Sequence, residues 1–410
     1  MSFFFILFAT RNTLIMIKTL EITFWICLII VFYTYIGYGI LLFILVKLKQ
    51  LFSKKKSVLK DLTNDDLPDV TLLICAYNEE NVVEEKMKNT MSLDYPAEKL
   101  QQIWVTDGSD DQTNELLKKY PQVKVIFRPK RQGKTAALNH GMDYVETPIT
   151  IFTDANTILN HEAIRELANH FQDPTVGCVS GEKRVHARDK NDTAGEGEGL
   201  YWKYESKLKK WDNELYSTMG AAGELFAIRT ELYKKMPDDT LLDDFIISME
   251  IVEEGMRIDY TDKAYAVEYG SINMQEESKR KCRIAAGGLQ SINRLRPLLN
   301  PFNHFIVTFQ YISHRVLRWS ITPFAMFILI PVNVLLLFLS NSVFFTTIWI
   351  LQIIFYAAAF AGFMLNERGI KNRILYVPFY FMFMNINVFR GIRYLKDKKG
   401  SGAWEKAKRE

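Results

Sequence analysis

Between residues 69 and 160 short apolar runs alternate with longer stretches of helical periodicity. VTLLICAY, QIWVTDG, VKVIFR and ITIFTDAN have strand length, and amphipathic segments over 79–92, 111–119 and 134–145 separate them. Strands alternating with helices predict βαβ units and a parallel sheet covered on both faces. The strands run into polar residues at their carboxyl ends: Tyr77-Asn78-Glu79, Asp107-Gly108-Ser109 and Asp154-Ala155-Asn156. Open α/β sheets bind ligands at that edge, so these ends predict one shared crevice.

The flanks have a different pattern. Residues 22–46 are almost wholly apolar and uncharged, which is enough to cross about 30 Å of hydrocarbon as a helix. Lys47, Lys49, Lys54, Lys55, Lys56 and Lys60 follow within a basic linker over 47–68, and excess positive charge marks the cytoplasmic side. The first span then runs from outside to inside and leaves the region 69–300 in the cytosol. The apolar leader 1–21 is broken by Arg11 and Asn12. It has neither a basic start nor a small-residue cleavage pattern, so it reads as a membrane-associated leader and not as a signal peptide.

Beyond residue 300, segment 301–318 mixes His304, Gln310, His314, Arg315 and Arg318 with aromatics, the pattern of a helix lying in the membrane interface. Residues 319–340 and 343–365, parted by Asn341-Ser342, read as a transmembrane hairpin. Segment 374–391 is a shorter membrane segment carrying Asn385 and Asn387, and 392–410 is a basic tail. A cytosolic tail satisfies the charge rule and makes one of the C-terminal segments re-entrant or interfacial. The expected location is the cell (inner) membrane, multi-pass, with membrane lipids as partners.

Composition adds little to this picture. The net charge of +4 over 410 residues comes with no basic block of the kind that tracks nucleic acid, so no nucleic-acid partner is expected. The four cysteines form no CxxC pair, which predicts unlinked thiols and argues against a zinc site.

The candidate chemistry lies at the strand ends. Asp107 in VTDGSDDQT is either part of a capped turn, with Ser109 or Asp110 capping the next helix, or an acceptor for a nucleobase or ribose hydrogen bond. RPKRQGKTAALNHGM ends like a phosphate-binding loop, but position 128 is Arg where that motif needs Gly. Lys134, beside Lys130 and Arg131 at a helix start, still suits a diphosphate. Asp154 and Asn156 offer two hard oxygen ligands one residue apart, either a turn or the protein's share of a divalent-cation site. Asp243 and Asp244 open an apolar helix. There they complement the helix dipole or, because adjacent carboxylates repel, leave one poised as a general base. Lys279, Arg280, Lys281 and Arg283 either bind lipid headgroups or include, in Arg283, the residue that neutralises a leaving diphosphate.

Taken in order, CAYNEE, VTDGSDDQT, GKTAALNHG, FTDANT, GAAGELFAIR, LLDDF and KRKCRIAAGGLQ, set between membrane segments, resemble the family 2 membrane glycosyltransferases, the group that holds cellulose, hyaluronan and poly-N-acetylglucosamine synthases. The resemblance spans roughly residues 40–400. It implies an α/β GT-A (Rossmann-like) catalytic domain over 69–300, a UDP-sugar donor, and Mg2+ or Mn2+. On that resemblance Tyr77, Glu79 and Asp107 hold the uridine, Lys134 approaches the diphosphate, and Asp154 with Asn156 match the metal motif. Asp244 matches the base, with Asp243 beside it, and Arg283 matches an arginine on the pyrophosphate. Gly223 and Glu224 line the acceptor site.

Three positions depart from the family pattern. Asn156 replaces an aspartate and keeps the oxygen without the charge. Arg280 and Ile284 stand where the family has Gln and Trp at the acceptor sugar, which leaves a glycan or a lipid-linked acceptor open. The expected function is inverting transfer of a glucose- or N-acetylglucosamine-type sugar in surface or exopolysaccharide synthesis. The competing classes are a transporter with a nucleotide-binding domain, opposed by the small number of spans, and a catalytically inactive or nucleotide-sensing membrane scaffold.

Overall fold

The computed structural model describes residues 2–52, 60–186, 193–270, 273–370 and 372–397, with side chains from 12 onward apart from 186 and 193–201. Met1 of the leader, Lys54, Lys55 and Lys56 of the basic linker and residues 398–410 of the tail lie outside the described residues. In chain order the elements are α1 (Ser2–Phe32), a π-helical turn (Tyr33–Gly37) and α2 (Tyr38–Phe52), followed by β1 (Val70–Ala76), α3 (Val83–Met91), β2 (Leu100–Asp107), α4 (Thr113–Leu117), β3 (Lys124–Arg128), α5 (Lys134–Met142) and β4 (Ile149–Asp154). Next come β5 (Ile158–Leu159), α6 (Ala163–His170), β6 (Val176–His186), α7 (Thr193–Leu215), β7 (Leu225–Arg229), α8 (Asp243–Glu253), β8 (Arg257–Tyr269) and α9 (Met274–Arg294). The chain ends with α10 (Pro301–Tyr311), a second π-helical turn (Ile312–Val316), α11 (Leu317–Trp319), α12 (Ile321–Leu339), α13 (Val343–Glu367) and α14 (Arg373–Asp397).

The chain divides into two compact units. The larger comprises residues 42–311 and 391–410 and is built on an eight-stranded sheet of order β3-β2-β1-β4-β7-β6-β8-β5. The β3-β2-β1-β4 half is parallel, as the alternation predicts. The other half is mixed: β6 and β8 are parallel to each other. β7 runs antiparallel to both β4 and β6, and β5 is antiparallel to β8, so the sheet is mixed. The reason is connectivity. β7 follows β6 through the 23-residue helix α7 and a loop, a connection long enough to return the chain in either direction. Leu72, Ile74, Trp104, Ile151 and Leu225 form the centre of a continuous core. The helix expected over 79–92 starts at Val83, because residues 78–80 are held in the strand-end loop described below.

The smaller unit comprises residues 1–41 and 312–390. Phe24 is fully buried in it, against Ala325, Leu329 and Phe345. Its helices also share polar contacts: Tyr33 with Ser313 (2.7 Å), Thr34 with Thr322 (2.8 Å), Tyr35 with Asn385 (2.7 Å) and Asn333 with Gln352 (3.0 Å). Such bonds join helices where apolar contact gives no preference over lipid. Among the described residues, three helical stretches are long and apolar enough to cross a membrane: Asn12–Phe52, Ile321–Leu339 and Val343–Glu367.

Three expectations for the flanks change. The leader is continuous with the first span, since α1 begins at Ser2. Segment 301–318 is not one helix: it breaks at His304 (φ −145°, ψ 70°) and passes through the π-helical turn at 312–316. α14 is helical but is not among the three apolar stretches, because Asn385, Asn387 and Arg390 lower its hydropathy.

Candidate active site

The β1 and β2 ends are clasped together. Asn78, with φ at 52°, gives its backbone N–H to Ser109 Oγ (3.1 Å) and its side-chain amide to Asp110 Oδ1 (2.6 Å). Glu79 N–H donates to Thr113 Oγ1 (2.8 Å), and Glu80 N–H to Asp111 Oδ2 (3.1 Å). Ser109 and Asp110 therefore reach back to β1 and do not cap α4; Asp111 takes the Thr113 N–H instead (3.0 Å).

Asp107 is buried, and its two oxygens accept the backbone N–H groups of Gln132 (3.1 and 3.0 Å) and Gly133 (2.6 Å). The side chain thus shapes the loop leading to Lys134. Gly108 (φ 70°) faces the same loop so closely that a Cβ would lie 2.5 Å from Arg131 N. The Arg131 guanidinium in turn stacks on Tyr77 at 3.7 Å from the ring centre. Asp107→Asn puts an amide where two N–H groups converge. We expect a loss of about 2 kcal/mol in stability, which thermal melts check.

Lys134 is the first residue of α5, behind Gly133 at φ 99°. Its Nζ lies 2.7 Å from Asp154 Oδ1 and 3.4 Å from Asp243 Oδ2. Burial alone would lower its pKa, but Asp154 and Asp243 more than reverse that and hold it charged. Asp154 ends β4, opposite Cys75 of β1. Both readings of this segment meet here: Thr157 closes a turn through its Oγ1 on Asp154 O (2.9 Å), and the Asp154 carboxylate is still directed at Lys134. A buried lysine that the sequence does not single out supports the turn. Lys86 donates to Thr153 Oγ1 (3.1 Å) and Thr157 O (2.7 Å).

Asp243 and Asp244 occupy the first turn of α8. Gly223 lies directly against the second of them, with a Cβ there falling 2.8 Å from Asp244 Oδ2. Asp244 keeps some contact with solvent, yet burial, reinforced by Asp243 and only partly offset by Lys134, raises its pKa to about 7. Ser248 ties the helix to the glycine loop: its Oγ donates to Asp244 O (2.7 Å) and accepts from Ala221 N (3.0 Å). Gly220 (φ 93°) admits the Phe245 ring, which a Cβ would meet at 2.3 Å.

α9 buttresses this corner. Gly287 packs on Leu242, Gln290 Oε1 accepts the Leu241 N–H (3.0 Å), and Arg294 pairs with Asp239 (2.6 Å). Gln290 and Arg294 were not visible as site residues because their partners, the Leu241 N–H and the Asp239 carboxylate, lie 49 and 55 residues away. The basic cluster on α9 is neutralised locally. Arg280 and Lys281 are buried on Glu277 (3.0 and 3.5 Å), and Lys279 pairs with Glu276 (2.8 Å). Arg283 and Ile284 are half-buried on the same helix. The larger unit therefore gathers Tyr77, Glu79, Lys134, Asp154, Asn156, Asp243, Asp244, Gly223 and Glu224 at the carboxyl edge of β1, β2 and β4 and the facing loops, with Asp107 beneath them.

Asp154 and Asn156 form a hard-oxygen donor set, and Asp154 already attracts an ammonium. No group of three or more His, Cys, Asp or Glu residues able to hold a metal alone occurs among the described residues.

Comparison with known proteins agrees with this geometry. The family model Glycosyl transferase family 2 matches residues 71–236. The chain is 26% identical over 246 residues to the poly-beta-1,6-N-acetyl-D-glucosamine synthase of Staphylococcus aureus, covering 57% of this chain and 58% of the relative. The corresponding Staphylococcus epidermidis protein is 23% identical over 295 residues, covering 68% of this chain and 70% of the relative. The match thus spans little more than half the length of the S. aureus relatives. The mannosyltransferase PcManGT from Pyrobaculum calidifontis, solved with GDP-Man and Mn2+, superposes with a TM-score of 0.67 at 21% identity, over 93% of this chain and all of that one. The mixed α/β sheet has the GT-A fold, and residues 71–236 match the model of glycosyl transferase family 2.

Proposed function

We propose that the protein is a membrane-bound, inverting glycosyltransferase that moves a glucose- or N-acetylglucosamine-type sugar from a UDP-sugar to a hydroxyl of a glycan or lipid-linked acceptor. The observation that carries this reading is the pairing of Asp244, a carboxyl with pKa near 7, with the Lys134–Asp154 pole at the same sheet edge. A base near neutrality suits proton removal from a hydroxyl. An ammonium beside a hard-oxygen site suits a diphosphate. The names of the staphylococcal relatives support an N-acetylglucosamine donor and surface-polysaccharide synthesis.

In this mechanism Asp244 takes the acceptor proton as the hydroxyl oxygen attacks the anomeric carbon. The bond from that carbon to the diphosphate breaks on the opposite face, so configuration inverts. Lys134 meets the negative charge on the departing diphosphate. In this reading Tyr77 and Glu79 hold the uridine, with Asp107 shaping the loop whose Arg131 stacks on Tyr77, and Arg283 meets the pyrophosphate by family resemblance. Asp154 and Asn156 would hold Mg2+ or Mn2+, which when bound neutralises phosphate charge. The Lys-rich side of the first span places the catalytic unit in the cytosol and the protein in the cell membrane as a multi-pass protein.

A nucleotide-sugar panel on purified protein tests the reading. Metal-dependent release of nucleoside diphosphate from one donor is expected, and its absence with every donor, GDP-sugars included, excludes the reading. Asn156→Asp adds a ligand charge, so the half-saturating Mn2+ concentration is expected to fall about tenfold. An unchanged metal titration would leave 154–157 as a turn alone.

A further inference from the structure

Lys183 lies on β6 within VSGEKRVH, and its side chain is only 1% exposed. A buried ammonium persists only when paired. Two carboxylates meet it, Glu224 at the end of the glycine loop and Glu268 on β8, and the Trp202 ring lies 5.2 Å away. One lysine thus joins three separate parts of the sheet.

The two carboxylates differ in setting. Glu268 is fully enclosed, whereas Glu224 keeps a side-chain exposure of 16%. The Glu224 carbonyl accepts from Thr153 Oγ1 (2.9 Å), next to Asp154, and the preceding Gly223 touches Asp244. Glu224 therefore stands between the metal-motif strand and the candidate base. Burial alone would keep it protonated, but Lys183, with help from Arg280, holds its pKa at about 2.

We infer that Lys183 is a positioning residue of the transfer reaction: tied to Glu268, it fixes the Glu224 carboxylate beside Asp244, where Glu224 accepts hydrogen bonds from a neutral acceptor sugar and keeps anionic acceptors out. This inference rests on the glycosyltransferase reading above. Charge on the acceptor side agrees with it. Glu224 and Glu268 share the single Lys183, Lys134 serves Asp154 and Asp243, and Arg280 is paired with Glu277, so the wall that Asp244 and Glu224 form carries more carboxylate than cation. A sugar ring offering O–H and N–H donors fits such a wall, and a phosphate does not. The presence of a base points the same way, because a hydroxyl nucleophile must lose a proton whereas a phosphate oxygen is already ionised.

The full chain in lipid nanodiscs, supplied with the donor that the panel identifies, is assayed with a β-1,6-linked N-acetylglucosamine tetrasaccharide and with undecaprenyl phosphate. The wild type is expected to glycosylate the tetrasaccharide and not the phosphate. Glu224→Gln should raise the tetrasaccharide KM at least tenfold while donor KM stays within twofold. Lys183→Met should do the same, and Lys183→Arg should recover most of the loss, a rescue that loss of packing alone would not give. Donor-induced thermal shift reports folding, and if Lys183→Met does not fold, Glu224→Gln decides. An unchanged acceptor KM in folded Glu224→Gln, or wild-type preference for the phosphate, overturns the inference while leaving the transferase reading intact. A wild type that turns over no donor removes both.

Discussion

Asp244→Asn is expected to lower turnover about 10³-fold, the scale of a lost general base, while nucleotide binding stays within about twofold because the amide is isosteric. The pH profile is the sharper readout. A base must be unprotonated to act, so wild-type kcat/KM should fall tenfold per unit as pH drops below about 7, the value set by burial and Asp243. The residual activity of Asp244→Asn should lack that limb. Stability should respond in the opposite sense. The folded state raises this pKa above the ordinary 3.8, so it favours the protonated carboxyl. That contribution is complete below pH 4 and is lost as pH rises through 7. Asp244→Asn removes the titration and should melt at or above the wild-type temperature at pH 8. A variant that is inactive and less stable at every pH would make Asp244 a structural residue. A scaffold without catalysis would show no functional change at all.

Lys134→Met is expected to cost about 10² to 10³-fold in kcat/KM, the scale of one electrostatic contact to developing charge. Two further readouts should move in opposite directions. Donor KM should rise, because the diphosphate loses its ammonium. The half-saturating Mn2+ concentration should fall, because Asp154 loses a cation that competes for Oδ1 at 2.7 Å. If both worsen together, Lys134 supports the fold of the site and does not act on the donor. The Asp243 contact at 3.4 Å makes this distinction useful: removing Lys134 also brings Asp243 and Asp154 closer to mutual repulsion, which a melt at high and low salt would report.

The parallel half of the sheet was legible because a strand between two helices of a βαβ unit leaves a local signal, an apolar run with helical periodicity on either side. The site residues at its edge were legible for the same reason, since a carboxylate that ends such a run is carried to the carboxyl edge by the strand itself. The start of α8 at Asp243 is equally local, two acids ahead of an apolar helix. The antiparallel insertion of β7 was not legible: no residue in LFAIR says which strands it will join, and its partners Phe152 and Val179 lie at different distances along the chain.

Side-chain direction was lost in the same way. Asp107 and Asp154 end the two strands that flank β1 and look alike in sequence. The loop at 131–133 folds over one and captures it, while the other is met by Lys134. Lys183 reads as one more polar residue in GEKRVH. Only the sheet brings it Glu224 and Glu268, 41 and 85 residues away. The sequence by itself determined the apolar spans, the strand-end acids and the pair that opens α8, because each depends on spacing within a few residues. The tertiary structure alone decided which carboxylates are captured, which is raised toward neutrality and which is held ionised, because burial and charge pairing depend on neighbours that the chain delivers from far away.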